Sequence, residues 1–180
     1  IVHWKTAPGK KVGIIGLGGL GHMGVKLAAA MGAEVTVFSH SPKKKEDALR
    51  MGAKEFIVVK NKEDLKSESK KYDLIINTVS AEIDLEWYIE CLKLDGSIVL
   101  VGLPGKPYAI STPPLISQRR SVSGSMIGGM PELQEMLNFC GKHKIVSDIE
   151  LIDPEYINTA YDRTVASDVK YRFVINASKF

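Results

Sequence analysis

Cysteine is scarce in this sequence: Cys91 and Cys140 are the only two among 180 residues. Two thiols can build neither the multi-bridge framework of a small secreted domain nor a four-cysteine zinc lobe, and a reducing cytoplasm is the expected setting. Long apolar runs are missing as well, since none approaches the roughly 20 residues that a membrane span needs. An excess of one charge is also absent. Lys and Arg number 24 against 21 Asp and Glu, leaving +3, so nothing in the balance calls for a nucleic-acid or membrane-surface partner. The opening Ile1-Val2-His3-Trp4-Lys5 lacks an initiator Met and a charged lead into an apolar signal core, which suggests an internal piece of a longer protein.

What is present is ordinary for a soluble globular domain: 44% hydrophobic and 25% charged residues, in a chain long enough for one real core. Short runs rich in β-branched residues alternate with helix-period segments, the pattern of strand–helix–strand units in a doubly wound parallel sheet. Strands are expected at Val12 to Ile15, Glu34 to Phe38, Phe56 to Val59, Tyr72 to Ile76, Ile98 to Val101 and Ser121 to Ser123. The nearly unbroken apolar centre of the fourth places it mid-sheet, covered on both faces. Leu20, Met23, Gly24, Leu27, Ala28 and Met31 stripe one helix that Gly32 ends. Ser41-Pro42 supplies an N-cap and first-turn proline for another, which Gly52 stops. Asn61 to Lys71 reads as a weak helix or solvated loop. Leu85, Tyr88, Ile89 and Leu92 stripe a third helix, before a turn at Asp95-Gly96, and the prolines and glycines between Gly102 and Pro114 dictate a loop. A further helix runs from Pro131 to Gly141 with Leu133, Met136, Leu137 and Cys140 on one face. Beyond it, a strand at Ile149 to Ile152, a helix from Pro154 to Val165 and a strand at Tyr171 to Ile175 follow the repeated unit without plainly extending it.

The chemistry concentrates at Gly16, Gly18 and Gly21, a G-x-G-x-x-G between a strand and a helix. The first glycine permits a tight turn, the second lets a diphosphate approach the backbone, the third lets helix and strand pack closely, and free N–H groups at the helix start attract the anion. About 20 residues into such a motif an acid would hold the ribose 2′-hydroxyl of NAD. Here that position is Ser39, followed by His40, Ser41 and the cations Lys43, Lys44 and Lys45. Positive charge at a helix start is disfavoured by the macrodipole, and a bound 2′-phosphate would resolve the conflict, so NADP is the expected cofactor over NAD. A solvated lysine face offset by Glu46 and Asp47 is the plainer alternative. Ligands of open parallel sheets lie beyond the carboxyl ends of the strands, which nominates Asn77-Thr78-Val79, Gly102-Leu103 and Gly124-Ser125-Met126-Ile127.

No catalytic group accompanies this turn. Four residues after each of the six tyrosines stand Ile76, Leu92, Thr112, Ala160, Val165 and Ile175, so the Tyr-x-x-x-Lys pair of short-chain dehydrogenases is missing. The four histidines are scattered and neither cysteine has a partner at ligand spacing, so no metal site is expected in this chain. His22 is expected at the surface or supporting the site rather than ligating, and both cysteines in the core. A stand-alone NADP(H)-sensing module remains a second reading. A methyltransferase, which also uses a glycine-rich turn, is a third, and the missing acid at Ser39 counts against it.

Three stretches carry a family resemblance: Gly9 to Lys26 with its Gly16-Leu17-Gly18-Gly19-Leu20-Gly21 centre, the lysine-rich Ser39 to Lys45, and Gly124-Ser125-Met126-Ile127-Gly128. They resemble the zinc-containing medium-chain alcohol dehydrogenases, nearest the NADP-dependent cinnamyl-alcohol-dehydrogenase-like branch, and Asp168 to Ile175 is similar to that branch's final strand. The resemblance implies a Rossmann NADP-binding domain over residues 1–148 and, over 149–180, a C-terminal remnant that returns to a catalytic domain. It implies diphosphate contacts around Gly18, Gly19 and Leu20, and 2′-phosphate contacts from Ser39, Ser41 and Lys44. Thr78 would line the ribose region, with Gly102, Leu103, Ser125, Met126 and Ile127 on the nicotinamide side. His40 stands where relatives often carry serine. The family's zinc ligands lie in an N-terminal half outside this sequence, so zinc is expected only in the full-length enzyme, acting on a small alcohol or aldehyde, and dimers are expected through the sheet edge. The segment from Ile149 onward is then expected to pack on a neighbouring chain or to fold back.

Overall fold

The computed structural model describes all 180 residues, Ile1 to Phe180. Alternation along each strand sends neighbouring side chains to opposite faces, and the buried residues accordingly separate into two layers. The strands and helices of the body are β1 (Lys11–Ile15), α1 (Gly21–Ala30), β2 (Glu34–Ser39), α2 (Lys45–Arg50), β3 (Glu55–Val58), β4 (Tyr72–Asn77), α3 (Leu85–Ile89), β5 (Leu92–Leu100), α4 (Pro113–Ile116), β6 (Ser121–Gly124) and α5 (Met130–His143). The six strands are all parallel, in the order β3-β2-β1-β4-β5-β6. Val12, Ile14, Val35, Val37, Leu74 and Ile76 meet Val25, Ala28 and Ala48 of α1 and α2 on one face. Ile15, Phe38, Ile75 and Ile98 meet Leu85, Tyr88 and Ile89 of α3 on the other. This is the doubly wound sheet expected from the alternating pattern. Its strand order reverses between β1 and β4, which opens a crevice at their carboxyl ends.

Several details depart from the sequence reading. The buried face of α1 is Gly21, His22, Val25 and Ala28, while Leu20 is exposed at the mouth of the turn. The helix face is chosen by its seat on β1 and β2, and His22, expected at the surface or in support, is fully buried. Leu92 belongs to β5 rather than to the third helix, which ends at Ile89. The expected turn at Asp95-Gly96 survives as an irregularity inside β5, where pairing jumps from Tyr72 with Leu92 to Leu74 with Ser97 and Asp95 takes a left-handed φ of +61°. Ser41 makes no side-chain cap, and a 3-10 turn over Pro42–Lys44 precedes α2. In the stretch Asn61 to Lys71 a 3-10 segment, Lys62–Glu68, forms with a capping box from Asn61 and Asp64. Finally α5 runs through Gly141 and stops at left-handed Lys144, and of its apolar stripe only Cys140 is buried. The helical period of Leu133, Met136 and Leu137 is real, but no other part of this chain covers them.

The last stretch forms β7 (Ile149–Ile152), α6 (Ile157–Val165) and β8 (Arg172–Ile175), with β7 and β8 paired parallel in a separate two-stranded sheet. It folds back on the body, one of the two outcomes expected for it. Tyr171 is 3% exposed and joins the core layer of α1 and α2. No helix is long and apolar enough to cross a membrane.

Candidate functional site

Because all six strands run the same way, the residues that follow them share one rim of the sheet. At its centre, Gly16 leaves β1 with φ +89° and donates its N–H to the Phe38 carbonyl at 2.8 Å. That φ favours glycine, and a Cβ there would collide with Val79. A Cβ on Gly21 would collide with the Gly16 carbonyl, which is the close helix–strand approach the third glycine permits. Gly18 differs from both: its Cβ direction meets nothing within 4 Å, so this face of the turn is open to a ligand. The N–H groups of Gly19, Leu20 and Gly21 find no backbone acceptor, and α1 begins without a side-chain cap or an acid in its first turn. An open backbone turn with free donors at a ten-residue helix is the form an anion site takes.

Beside it, at the end of β2, Ser39 is buried and its Oγ accepts the Ser41 N–H at 3.2 Å. Of the lysine cluster, Lys43 and Lys45 point to solvent while Lys44 turns inward. Its Nζ donates to the Leu17 carbonyl at 2.9 Å and stands 5.8 Å from the centre of the Tyr171 ring. Burial lowers the Lys44 pKa, with Asp47 opposing, so this ammonium is half-desolvated and poorly balanced by anions, a cation that a phosphate would stabilise. On the far side of the turn Thr78 donates from Oγ1 to the Ile15 carbonyl at 2.8 Å, tying the exits of β1 and β4 together. Asn77, fully buried, donates from Nδ2 to the Tyr108 hydroxyl at 2.9 Å and accepts the Val79 N–H at 3.1 Å. Gly102 lies against Val79, where a Cβ would overlap the backbone, and the Leu103 N–H reaches Ser80 Oγ at 3.3 Å. Ser125 donates its N–H to Leu100 at 3.0 Å, and Met126 and Ile127 extend into solvent. All the residues named from the sequence thus lie along one rim, from Ser39 and Lys44 through the glycine turn and Thr78 to Gly102, Leu103 and Ser125 to Ile127.

One residue escaped the sequence reading. Arg172, from β8, donates from its guanidinium to the Gly19 carbonyl at 3.2 Å and stands 3.7 Å from where a Cβ on Gly19 would lie. No local signal marks it, because 153 residues separate the partners. The cysteines are buried as expected, and burial pushes the Cys91 thiol up to about 12, an unreactive core position. No group of three or more His, Cys, Asp or Glu side chains converges in a way that could hold a metal ion.

Strand order, glycine turn and open switch point define the class: a Rossmann-type α/β domain of the kind that carries dinucleotides. Within that class, residues 19–142 match the family described as zinc-binding dehydrogenase, and the chain belongs to it. It is 55% identical over 176 residues to the NADP-dependent alcohol dehydrogenase C 1 of Mycolicibacterium smegmatis, covering 98% of this chain and 50% of the relative. To the aldehyde reductase YahK of Escherichia coli it is 50% identical, covering 97% of this chain and 50% of that protein. Among solved structures, a cinnamyl alcohol dehydrogenase from Sorghum bicolor superposes with a TM-score of 0.94 at 40% identity, over 98% of this chain and 50% of that one. The CAD of Helicobacter pylori complexed with NADP(H) gives 0.89 at 41% identity, over 99% and 51%. The chain spans about half the length of the curated relatives it matches.

Proposed function

We propose that this chain is the NADP(H)-binding part of an oxidoreductase that interconverts alcohols and aldehydes by hydride transfer, with residues 1–148 forming the cofactor domain and 149–180 a segment that returns to a catalytic domain. The observation that carries the reading is the pairing of an open glycine turn, its N–H groups free, with Ser39 where an NAD site would place an acid and a half-buried Lys44 close behind it. Gly16, Gly18, Gly19, Leu20 and Gly21 hold the diphosphate, joined by Arg172. Ser39, Ser41 and Lys44 hold the 2′-phosphate, and Thr78 borders the ribose. Gly102, Leu103, Ser125, Met126 and Ile127 present backbone and apolar surface to the nicotinamide. The cofactor, once bound, supplies the hydride acceptor or donor; these residues bind and orient it.

The side chains of this chain do not fit a zinc site, since no three ligands converge. The chain by itself binds cofactor without turning over alcohol. An open edge of the sheet, where β3 and β6 are each paired on one side only, is the surface for a second copy. A cytoplasmic setting suits two unpaired, buried thiols.

Titration of the chain with NADPH, NADH and S-adenosylmethionine tests the reading, with NADPH expected to bind tightest. Lys44→Glu is expected to weaken NADPH by roughly 10- to 100-fold, the scale of one lost charge-assisted contact, and to leave NADH nearly unchanged. Equal affinity for NADH and NADPH would remove the argument from Lys44, and preference for S-adenosylmethionine would remove the oxidoreductase.

A further inference from the structure

One side chain joins the glycine turn to both strands of the C-terminal segment. His22, the second residue of α1, is 0% exposed, unusual for a group that titrates near neutrality. Both ring nitrogens are engaged. Nδ1 lies 3.0 Å from the Gly18 carbonyl oxygen, and Nε2 lies 3.3 Å from the backbone nitrogen of Asp148. A carbonyl can only accept and an N–H can only donate, so this pair of neighbours is satisfied by one form of the ring alone: neutral, with its proton on Nδ1. The ring also stacks on Tyr171, centroids 5.1 Å apart and planes 15° from parallel. Asp148 precedes β7 by one residue and Tyr171 precedes β8 by one, so the imidazole grips the entrance of each strand while it holds the middle glycine of the turn. Arg172, next to Tyr171, completes the join through the Gly19 carbonyl.

The charges around this ring do not favour its cation. Lys26, on the same helix, and Arg172, from β8, oppose protonation, while Asp148 favours it. The Asp148 carboxylate is already held by Lys26 and by Arg50 of α2. Behind Tyr171, its hydroxyl donates to Asp47 of α2 at 2.9 Å, and Lys170 reaches the same carboxylate at 2.9 Å while Lys44 stands over the ring. Burial is the largest influence and, against the Gly18 carbonyl, which favours the proton, keeps the imidazole below its ordinary value.

We propose that neutral His22 is a positioning residue that locks the C-terminal segment onto the glycine turn, and that its protonation opens the lock and weakens dinucleotide binding. The second half rests on the cofactor reading above; the first does not. The sign follows from geometry: a proton on Nε2 would face the Asp148 N–H, donor against donor, with no acceptor between them. The lock is therefore complete above the ordinary histidine value and lost as pH falls through the depressed one.

The test uses the whole chain and needs no enzymatic turnover. Nitrogen-15 spectra of the histidine rings are expected to place the His22 proton on Nδ1 at neutral pH. Amide exchange at Asp148 and Tyr171, corrected for intrinsic rate, is expected to quicken as the ring protonates. His22→Gln puts an amide oxygen near the place of Nε2, keeps an acceptor for Asp148 and cannot titrate. Between pH 7 and 5 the wild type is expected to lose several-fold more NADPH affinity than His22→Gln, because only the wild type carries an imidazole whose protonation is linked to binding. The 2′-phosphate of NADPH titrates alike with both proteins, so their difference isolates the imidazole. His22→Phe keeps the stack, loses both polar links and is expected to leave the Asp148 amide unprotected at every pH. A proton on Nε2, or an acid loss of affinity unchanged in His22→Gln, would overturn the proposal. If NADPH fails to bind wild type at any pH, the cofactor reading and the second half fall together, and the ring spectra and exchange data decide the lock on their own.

Discussion

The body and the C-terminal segment are built from the same unit, strand then helix then parallel strand, yet they hold themselves in place by different physics. In the body, helices cover both faces of the sheet, so β1, β2 and β4 are almost wholly buried and the strands stay put by apolar contact. In the segment, β7 and β8 are largely exposed and α6 buries only Ala160. Its attachment comes from a few points: Asp148 on Lys26 and Arg50, Tyr171 in the core, Lys170 on Asp47, and Arg172 on Gly19. A strand–helix–strand pattern in a sequence therefore tells how a segment folds locally and leaves open whether its apolar face has a partner.

Mutations at the attachment points sharpen this contrast. Tyr171→Ala removes the one large apolar anchor, a 3% exposed ring that also donates to Asp47, and is expected to cost about 3 kcal/mol in urea unfolding. A cost below about 1 kcal/mol, the range of ordinary surface changes, would mean the ring is not docked and the contrast fails. Asp148→Asn should cost less, about 1 kcal/mol at neutral pH, as befits a partly exposed carboxylate shared by two cations. Burial raises the Asp148 pKa, but its hydrogen bonds to Lys26 and Arg50 outweigh that and hold it below the usual carboxylate range. Its stabilisation is thus present above the ordinary aspartate value and lost as pH falls through the depressed one, so wild type and Asp148→Asn are expected to converge in acid, below the ordinary aspartate range. Measured stabilities that stay equally far apart in acid would assign the effect to packing instead. The smallest effect belongs to the outer face of α6: Val165→Lys, at an 87% exposed position, should shift stability by less than about 0.5 kcal/mol, and a larger loss would reveal a contact between α6 and the body.

Much of the body is legible in the sequence, for reasons particular elements make plain. Leu74 to Ile76 is apolar because it is buried on both faces, and Gly16-x-Gly18-x-x-Gly21 is punctuated by glycines because the chain there takes a positive φ, meets other backbone closely or opens to solvent. Lys44 was legible as an oddity, a cation at a helix start, although its inward turn onto Leu17 was not. Leu20, Leu92 and Leu133 were misplaced because the same leucine suits a helix stripe, a strand and an uncovered face equally well. Pattern carries period, and only a neighbouring element selects which side is buried.

His22 and Arg172 mark the remaining divide. Local chemistry alone determined that this chain alternates strands with helices, winds a parallel sheet around a glycine turn and sets a serine where an acid would stand with lysines just beyond it, since turn geometry, side-chain period and charge act over a few residues. Tertiary structure decided that a histidine would be buried and an arginine from the far end of the chain would reach the turn. Such contacts join residues more than a hundred positions apart, and no local propensity encodes a distance that only the folded backbone closes.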